Sequence, residues 1–146
     1  MAKIETKVEI RAPVERVFDF VADTAENHSK FFHFVEKVEA TSDLKRGVGA
    51  TFRYEAKSGG VKNWFENKVT NQIENELIEF ESIAGMKNKG VWSFAPIEKG
   101  TELTFVFEYE LPASYLGKMI DKLFVERQNR KDVSESLKKL KSILEG

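Results

Sequence analysis

The 146-residue sequence contains no cysteine. This absence excludes disulfides, thiolate nucleophiles and zinc–thiolate sites, and it fits a reducing compartment. Imidazole is also scarce, because His28 and His33 are the only two histidines. Neither stands in a spacing typical of metal ligands, such as two histidines four residues apart with a glutamate between them. We therefore expect no metal and no cofactor.

An excess of one charge is missing too. The 23 Lys and Arg residues nearly balance the 24 Asp and Glu residues, for a net charge of −1. No basic field favours nucleic acid, so we expect no nucleic-acid partner. The sequence has no run of eighteen apolar residues and no charged-then-apolar leader. We expect a soluble, cytoplasmic protein without stable membrane insertion.

Linkers, repeats and low-complexity tracts are absent as well. A chain of this length is sufficient for one domain with a substantial core. We expect residues 1–146 to form a single domain that is a monomer or a weak homodimer.

Alternating residues predict a half-buried strand at the start of the chain, where Ile4, Val8 and Ile10 share one face. Pro13 then opens a helix, and a second short helix is expected within residues 23–30. From residue 34 onward the pattern predicts about six antiparallel strands. The turns between them include a glycine pair at 59–60 and a break at 75–76.

The last predicted strand, residues 101–111, has a large apolar face that could line a cavity. That face carries Leu103, Phe105, Phe107, Tyr109 and Leu111. After Pro112 we expect one helix of about thirty residues, with Ser114 as its N-cap. Its apolar stripe comprises Leu116, Met119, Ile120, Leu123, Leu137, Leu140 and Leu144.

The middle of that stripe is polar, because its helical positions hold Glu126, Arg127, Arg130 and Ser134. Burying unpaired charge would cost several kcal/mol. Two interpretations remain open: a kinked or partly exposed helix with a solvated patch, or a polar wall of a cavity.

Together these elements predict an α+β helix-grip fold. A curved antiparallel sheet of about six to seven strands wraps around a long C-terminal helix, with two short helices after the first strand. Side chains rarely fill the space between such a sheet and helix completely, so the cavity there is the default ligand site.

Five motifs in order resemble those of polyketide cyclase/dehydrase-like proteins of the START/SRPBCC superfamily, and together they span nearly the whole chain. They are RAPVERVFDFVAD at residues 11–23, a Gly-x-Gly turn at 47–49, a Trp-x-Phe-x-Pro strand at 92–96, a Gly-Thr turn at 100–101, and LPASYLG at 111–117. The resemblance implies a helix-grip fold whose hydrophobic cavity holds lipids, sterols, quinones, polyketides or plant hormones in different members. It implies no single reaction.

The chain departs from many of these relatives in the second short helix, where they carry a Trp preceded by a Pro. Ser29 and Phe31 occupy those positions here. The mouth of the cavity is therefore expected to have a different shape.

The expected function is binding or carriage of a hydrophobic small molecule that resembles a lipid, isoprenoid, quinone or polyketide. A cyclase or dehydratase using cavity Tyr and Arg groups is one alternative. A partner-binding, chaperone-activator-like module is another, and Trp64, which points outward by strand parity, is the one residue that hints at it.

No Ser/His/Asp or paired-carboxylate arrangement follows from the spacing, so whether the protein is an enzyme stays open and no catalytic residue is assigned. The tyrosines could donate hydrogen bonds to a ligand carbonyl, and an arginine could anchor a carboxylate or phosphate. Asn63 and Asn67 are unusual, because an asparagine on the inner face of a strand needs a polar partner. The candidate ligand-binding residues are Tyr54, Phe65, Asn67, Trp92, Phe94, Phe105, Phe107, Tyr109, Met119, Leu123, Arg127 and Arg130.

Overall fold

A computed structural model describes the backbone of residues 1–146 and every side chain except that of Leu116. The elements follow the chain as β1 (Ala2–Ile10), α1 (Val14–Ala22), α2 (Thr24–Phe31), β2 (Val35–Ala40), β3 (Thr51–Ser58), β4 (Val61–Ile73), β5 (Leu77–Gly85), β6 (Asn88–Ile97), β7 (Gly100–Tyr109), α3 (Ala113–Gly117) and α4 (Lys122–Glu145). The predicted α+β helix-grip fold is confirmed, with a curled antiparallel sheet of seven strands.

The sheet has the strand order β1-β7-β6-β5-β4-β3-β2, so the first strand lies beside the last. β1 pairs with β7 along its whole length, from Ala2 opposite Tyr109 to Ile10 opposite Thr101. At the end of this pairing, a Cβ on Gly100 would lie 2.0 Å from the carbonyl oxygen of Ile10. The Thr101 hydroxyl donates to the carbonyl of Ala12 at 2.8 Å. The Gly-Thr pair therefore joins the last strand to the start of α1.

The predicted turns between the central strands are confirmed. Gly59 and Gly60 both have positive φ, at 58° and 81°, as the two-residue hairpin between β3 and β4 requires. Asn75, at φ 63°, makes the turn between β4 and β5. Because these turns set the register, alternate residues of β3 and β4 face the interior.

The carboxyl-terminal half of α4 covers the concave face of the sheet. Its apolar side chains Val133, Leu137, Leu140 and Leu144 are buried in the main core. No helix among the described residues is long and apolar enough to cross a bilayer.

The expectation of a single helix from Ser114 is wrong. α3 ends in a Schellman motif, in which Met119 has a φ of 54° and the Ile120 amide donates to the carbonyl of Tyr115 at 3.2 Å. A new helix then begins, with Asp121 as its N-cap instead of Ser114. The Asp121 carboxylate accepts from the amides of Leu123 at 2.9 Å and Phe124 at 3.4 Å.

Candidate functional site

The interior contains a cavity of about 40 Å³ between the sheet and the two short helices, which we call the aromatic cavity. Its walls include side chains of α1 and α2 and of strands β3 to β7. They are predominantly apolar, and the aromatic members include Phe32, Phe52, Phe65, Trp92, Phe105 and Phe107. Trp92 and Phe105 stack with their centroids 4.1 Å apart, which fixes the floor of the cavity.

Helix α2 places His28 in the wall of the aromatic cavity, where the side chain is fully buried. One ring nitrogen, Nε2, lies 2.9 Å from the carbonyl oxygen of Val21. A carbonyl only accepts, so the proton of the neutral ring is on Nε2. Nδ1 therefore accepts from the hydroxyl of Tyr54, at 2.9 Å.

Burial lowers the pKa of His28 to about 4, against an opposing contribution from its hydrogen bond to Val21. Burial also raises the pKa of Tyr54. At neutral pH both groups are uncharged, and the Tyr54 proton is held by the imidazole.

Asn67 is the third polar residue of this wall. It lies on the inner face of β4, is 5% exposed, and contributes to the aromatic cavity. Its Oδ1 is buried and accepts no hydrogen bond from the residues that the structure describes. The Oδ1 atoms of Asn63, Asn75 and Asn88 also lack a partner among the described residues.

A second cavity of about 30 Å³, which we call the helix-side cavity, lies where β1, β3, β4 and β7 approach α3 and α4. Here Asn129 of α4 donates to the hydroxyl of Tyr109 at 2.9 Å and accepts from the hydroxyl of Ser58. Burial raises the pKa of Tyr109. The Tyr115 hydroxyl donates to the carbonyl of Ser58 at 2.9 Å and accepts from Asn63 Nδ2 at 3.0 Å.

Three phenylalanine rings separate the two cavities, because Phe34, Phe65 and Phe107 contribute to the walls of both. A volume of about 30 to 40 Å³ holds only a few atoms, since a single water needs roughly 10–15 Å³ on this scale.

Residues 1–145 match the family model described as polyketide cyclase / dehydrase and lipid transport. The chain belongs to this family. No curated protein sequence resembles the chain closely enough to count as a relative.

Solved structures share the fold over nearly the whole chain. TTHA0849 from Thermus thermophilus is 23% identical with a TM-score of 0.81, and the alignment covers 97% of this chain and 96% of that one. A START superfamily protein from Mycobacterium smegmatis is 17% identical with a TM-score of 0.76, covering 99% and 98%. The ZhuI aromatase/cyclase from Streptomyces sp. R1128 is 18% identical with a TM-score of 0.74, covering 98% and 93%. At these identities the likeness shows the fold alone.

Seven of the residues predicted as ligand-binding in this family member lie at the two cavities. Tyr54, Phe65, Asn67, Trp92, Phe105 and Phe107 contribute to the aromatic cavity, and Tyr109 to the helix-side cavity. Phe94 is buried but lies outside both cavities, where its ring packs edge-on against Phe18 at 5.1 Å.

The inward placement predicted for the other four is wrong. Met119 is 93% exposed and Leu123 is 65% exposed, and both Arg127 and Arg130 point to solvent. The helix break restarts the helical phase at Asp121, so the buried side of α4 runs through Val125 and Val133 instead. Of the two interpretations of the polar interruption, the structure therefore supports the partly exposed helix with a solvated patch.

Several residues of the two cavity walls were not predicted from the sequence, among them the polar residues His28 and Asn129. His28 lies in a mainly polar segment of the sequence. Phe31 and Phe32 follow it by three and four residues, a spacing that places all three side chains on one face of a helix. Asn129 stands midway between Val125 and Val133, four residues from each, so a stripe drawn in the correct phase would have included it.

Two surface features lie apart from the cavities. His33, Asp132 and Glu135 each place one potential metal ligand within 4.8 Å of the others, but they contribute to neither cavity wall. Exposed acidic groups are often close together without an ion, so this cluster gives no support for a metal. Trp64 is 40% exposed, as strand parity predicted, and the Arg53 guanidinium lies over its ring at 4.2 Å. That cation–π contact gives the Trp64 ring a partner within the chain.

Proposed function

We propose that this protein binds a compact hydrophobic molecule in its aromatic cavity. The observation that carries the proposal is a buried space with aromatic walls, whose buried polar groups include the His28–Tyr54 pair and Asn67. An apolar space with a few fixed polar groups is the usual design of a small-molecule site. The family's description, which includes lipid transport, supports the same function.

The cavity volumes favour a ring-sized or short isoprenoid ligand over a long acyl chain. The two cavities measure about 40 and 30 Å³, so even a single aromatic ring requires Phe34, Phe65 and Phe107 to rotate. Rotation would add the helix-side cavity to the aromatic one, giving the ligand an elongated site with Tyr54 near one end and Tyr109 near the other.

The protonation states favour binding over the cyclase or dehydratase alternative. A general base works best when its pKa lies near the working pH. His28, with a pKa lowered to about 4, has both ring nitrogens in hydrogen bonds, and burial raises the pKa of Tyr54. At pH 7 His28 does not readily take a proton and Tyr54 does not readily give one up, so this wall suits recognition better than acid–base catalysis.

Native mass spectrometry of the purified protein, compared with its denatured spectrum, tests the proposal. We expect a small hydrophobic molecule to be released on denaturation, and the protein to gain thermal stability when that molecule is added back. Val69→Phe, which fills the aromatic cavity, should lose the ligand.

Val106→Phe is the matched control. Val106 lies on the outer face of β7, opposite to the face that carries Phe105 and Phe107, so this substitution should leave binding unchanged. The proposed site would be wrong if Val69→Phe kept the ligand. It would also be wrong if the purified protein carried no ligand and bound none of a panel of isoprenoids, quinones and polyphenols. Turnover of a polyketone that is lost in Tyr54→Phe or Tyr109→Phe would instead favour the enzyme.

A further inference from the structure

Three large apolar side chains are exposed where α3 ends and α4 begins. Met119 is 93% exposed, Leu123 is 65% exposed and Phe124 is 58% exposed. We call residues 118–124 the exposed turn. Within the described part of the chain, no other stretch of this length holds three exposed large hydrophobic residues. We propose that the exposed turn docks peripherally on a lipid bilayer that contains anionic phospholipids.

The surroundings of the exposed turn are basic. Residues 113–131 contain five Lys or Arg residues against two Asp or Glu residues, a net charge of +3, whereas the whole chain carries −1. All five cations are exposed and form no ion pair with a described residue; they are Lys118, Lys122, Arg127, Arg130 and Lys131. Unpaired cations beside apolar side chains complement a layer of phosphate groups over hydrocarbon.

The first turns of α4 arrange these groups along one side of the helix. Leu123, Arg127 and Arg130 follow one another at spacings of four and three residues, which places them on one face. Val125 lies on the other side of the helix and packs with Val61 and Tyr115. An apolar end that continues into a basic face suits a membrane surface, because Leu and Phe can enter the acyl region while the long cationic side chains reach the phosphates.

The exposed turn lies on the outside of the segment that covers the helix-side cavity. Tyr115 precedes the exposed turn and Asn129 follows it, and both contribute to the wall of that cavity. The hydrophobic cluster beneath this segment, formed by Val61, Tyr115 and Val125, is separate from the main core. A docked bilayer would therefore lie against the cover of the helix-side cavity.

A second copy of the chain fits this surface less well than a bilayer does. In a two-fold dimer the same patch faces itself, so the five cations of one copy would approach those of the other. Like charges repel, and the repulsion grows as the interface excludes water. Anionic lipid offers the opposite charge together with an apolar layer.

Co-flotation with large unilamellar vesicles tests the proposal. Vesicles of phosphatidylcholine alone are compared with vesicles of an equimolar mixture of phosphatidylcholine and phosphatidylglycerol. We expect the wild type to float with the mixed vesicles and to partition more weakly on phosphatidylcholine alone. Its partitioning on the mixed vesicles should decrease as the salt concentration rises, because salt screens the attraction between the cations and the lipid.

The apolar contribution is tested with Leu123→Ser/Phe124→Ser. Because both side chains are exposed, the fold should be retained, and partitioning on the mixed vesicles should weaken by about tenfold. Leu44→Ser/Ile83→Ser is the matched control. It replaces two apolar side chains elsewhere on the surface that are 50% and 55% exposed, and it should partition as the wild type does.

The charge contribution is tested with Lys122→Gln/Arg127→Gln. Partitioning on the mixed vesicles should weaken by about thirtyfold, because each cation near an anionic surface contributes about fivefold. Lys45→Gln/Lys99→Gln changes the net charge by the same amount in two other exposed loops. This control should leave the partitioning close to that of the wild type.

Three results would overturn the inference. The first is a wild-type protein that stays unbound in the presence of the mixed vesicles. The second is equal partitioning of the wild type and Leu123→Ser/Phe124→Ser. The third is sedimentation of the wild type as a dimer that the same variant converts to a monomer, because a second copy would then cover the exposed turn.

Discussion

At the scale of single residues, the buried imidazole of His28 determines the chemistry of the interior. Its two hydrogen bonds fix the tautomer, and its neutral state leaves the described walls of the aromatic cavity without a buried charge. The structural consequence is that protonating His28 would break the bond from Tyr54, because Nδ1 could no longer accept. Folding should therefore depend on pH through this residue.

We predict that His28 makes the protein less stable as the pH falls from 7 to 4. The folded-state pKa is lowered to about 4, whereas the unfolded chain binds the proton near 6.5. The unfolded state thus holds more protons in this window, so the stabilisation is complete above pH 6.5 and is lost as pH falls toward 4. The total is about 3 kcal/mol.

Urea denaturation of wild type and His28→Phe at pH 7 and pH 4 measures this contribution. The difference in unfolding free energy between the two proteins should change with pH by about 3 kcal/mol. His33→Gln, which alters the exposed histidine, should follow the wild type. If the wild type and His28→Phe lost equal stability between the two pH values, His28 would not be the group that titrates.

At the scale of elements, the break between α3 and α4 separates two functions of the carboxyl-terminal segment. α3 is tied to the β3–β4 hairpin through Tyr115, whose hydroxyl donates to the carbonyl of Ser58. α4 begins anew at Asp121 and delivers Asn129 to the helix-side cavity. The restart is what turns Arg127 and Arg130 outward.

Asp121→Ala should therefore destabilise the protein by about 1 kcal/mol, because two amides of the first turn of α4 lose their acceptor. Asp121→Asn keeps a side-chain oxygen at the N-cap and should retain most of the stability. The midpoint of urea denaturation reports both effects. An unchanged midpoint in Asp121→Ala would mean that the cap contributes nothing to the start of α4.

The elements also show where sequence reasoning succeeds and where it fails. Strand parity placed Tyr54, Asn67 and Trp92 inside correctly, because a period of two admits only two faces. The helix break was missed because its left-handed residue is Met119, where a glycine would have signalled a helix end. The His28–Tyr54 bond joins residues 26 positions apart, and no local pattern predicts such a contact.

At the scale of the whole molecule, the sheet and the long helix of the fold enclose an interior space. In this protein, side chains fill most of that space. Two small cavities separated by Phe34, Phe65 and Phe107 remain. A bound ligand would replace contacts between these rings with its own contacts. Binding should thus be coupled to rotation of a few side chains, with the sheet left unchanged.

The central claim is that a hydrophobic ligand binds inside the protein, and a ¹³C-edited NOE spectrum with p-xylene tests it most directly. We predict NOEs from the ligand methyl groups to the methyl groups of Val21, Val69 and Ile78, which contribute to the aromatic cavity. NOEs only to the exposed Met119, Leu123 and Phe124, or none at all, would contradict the account.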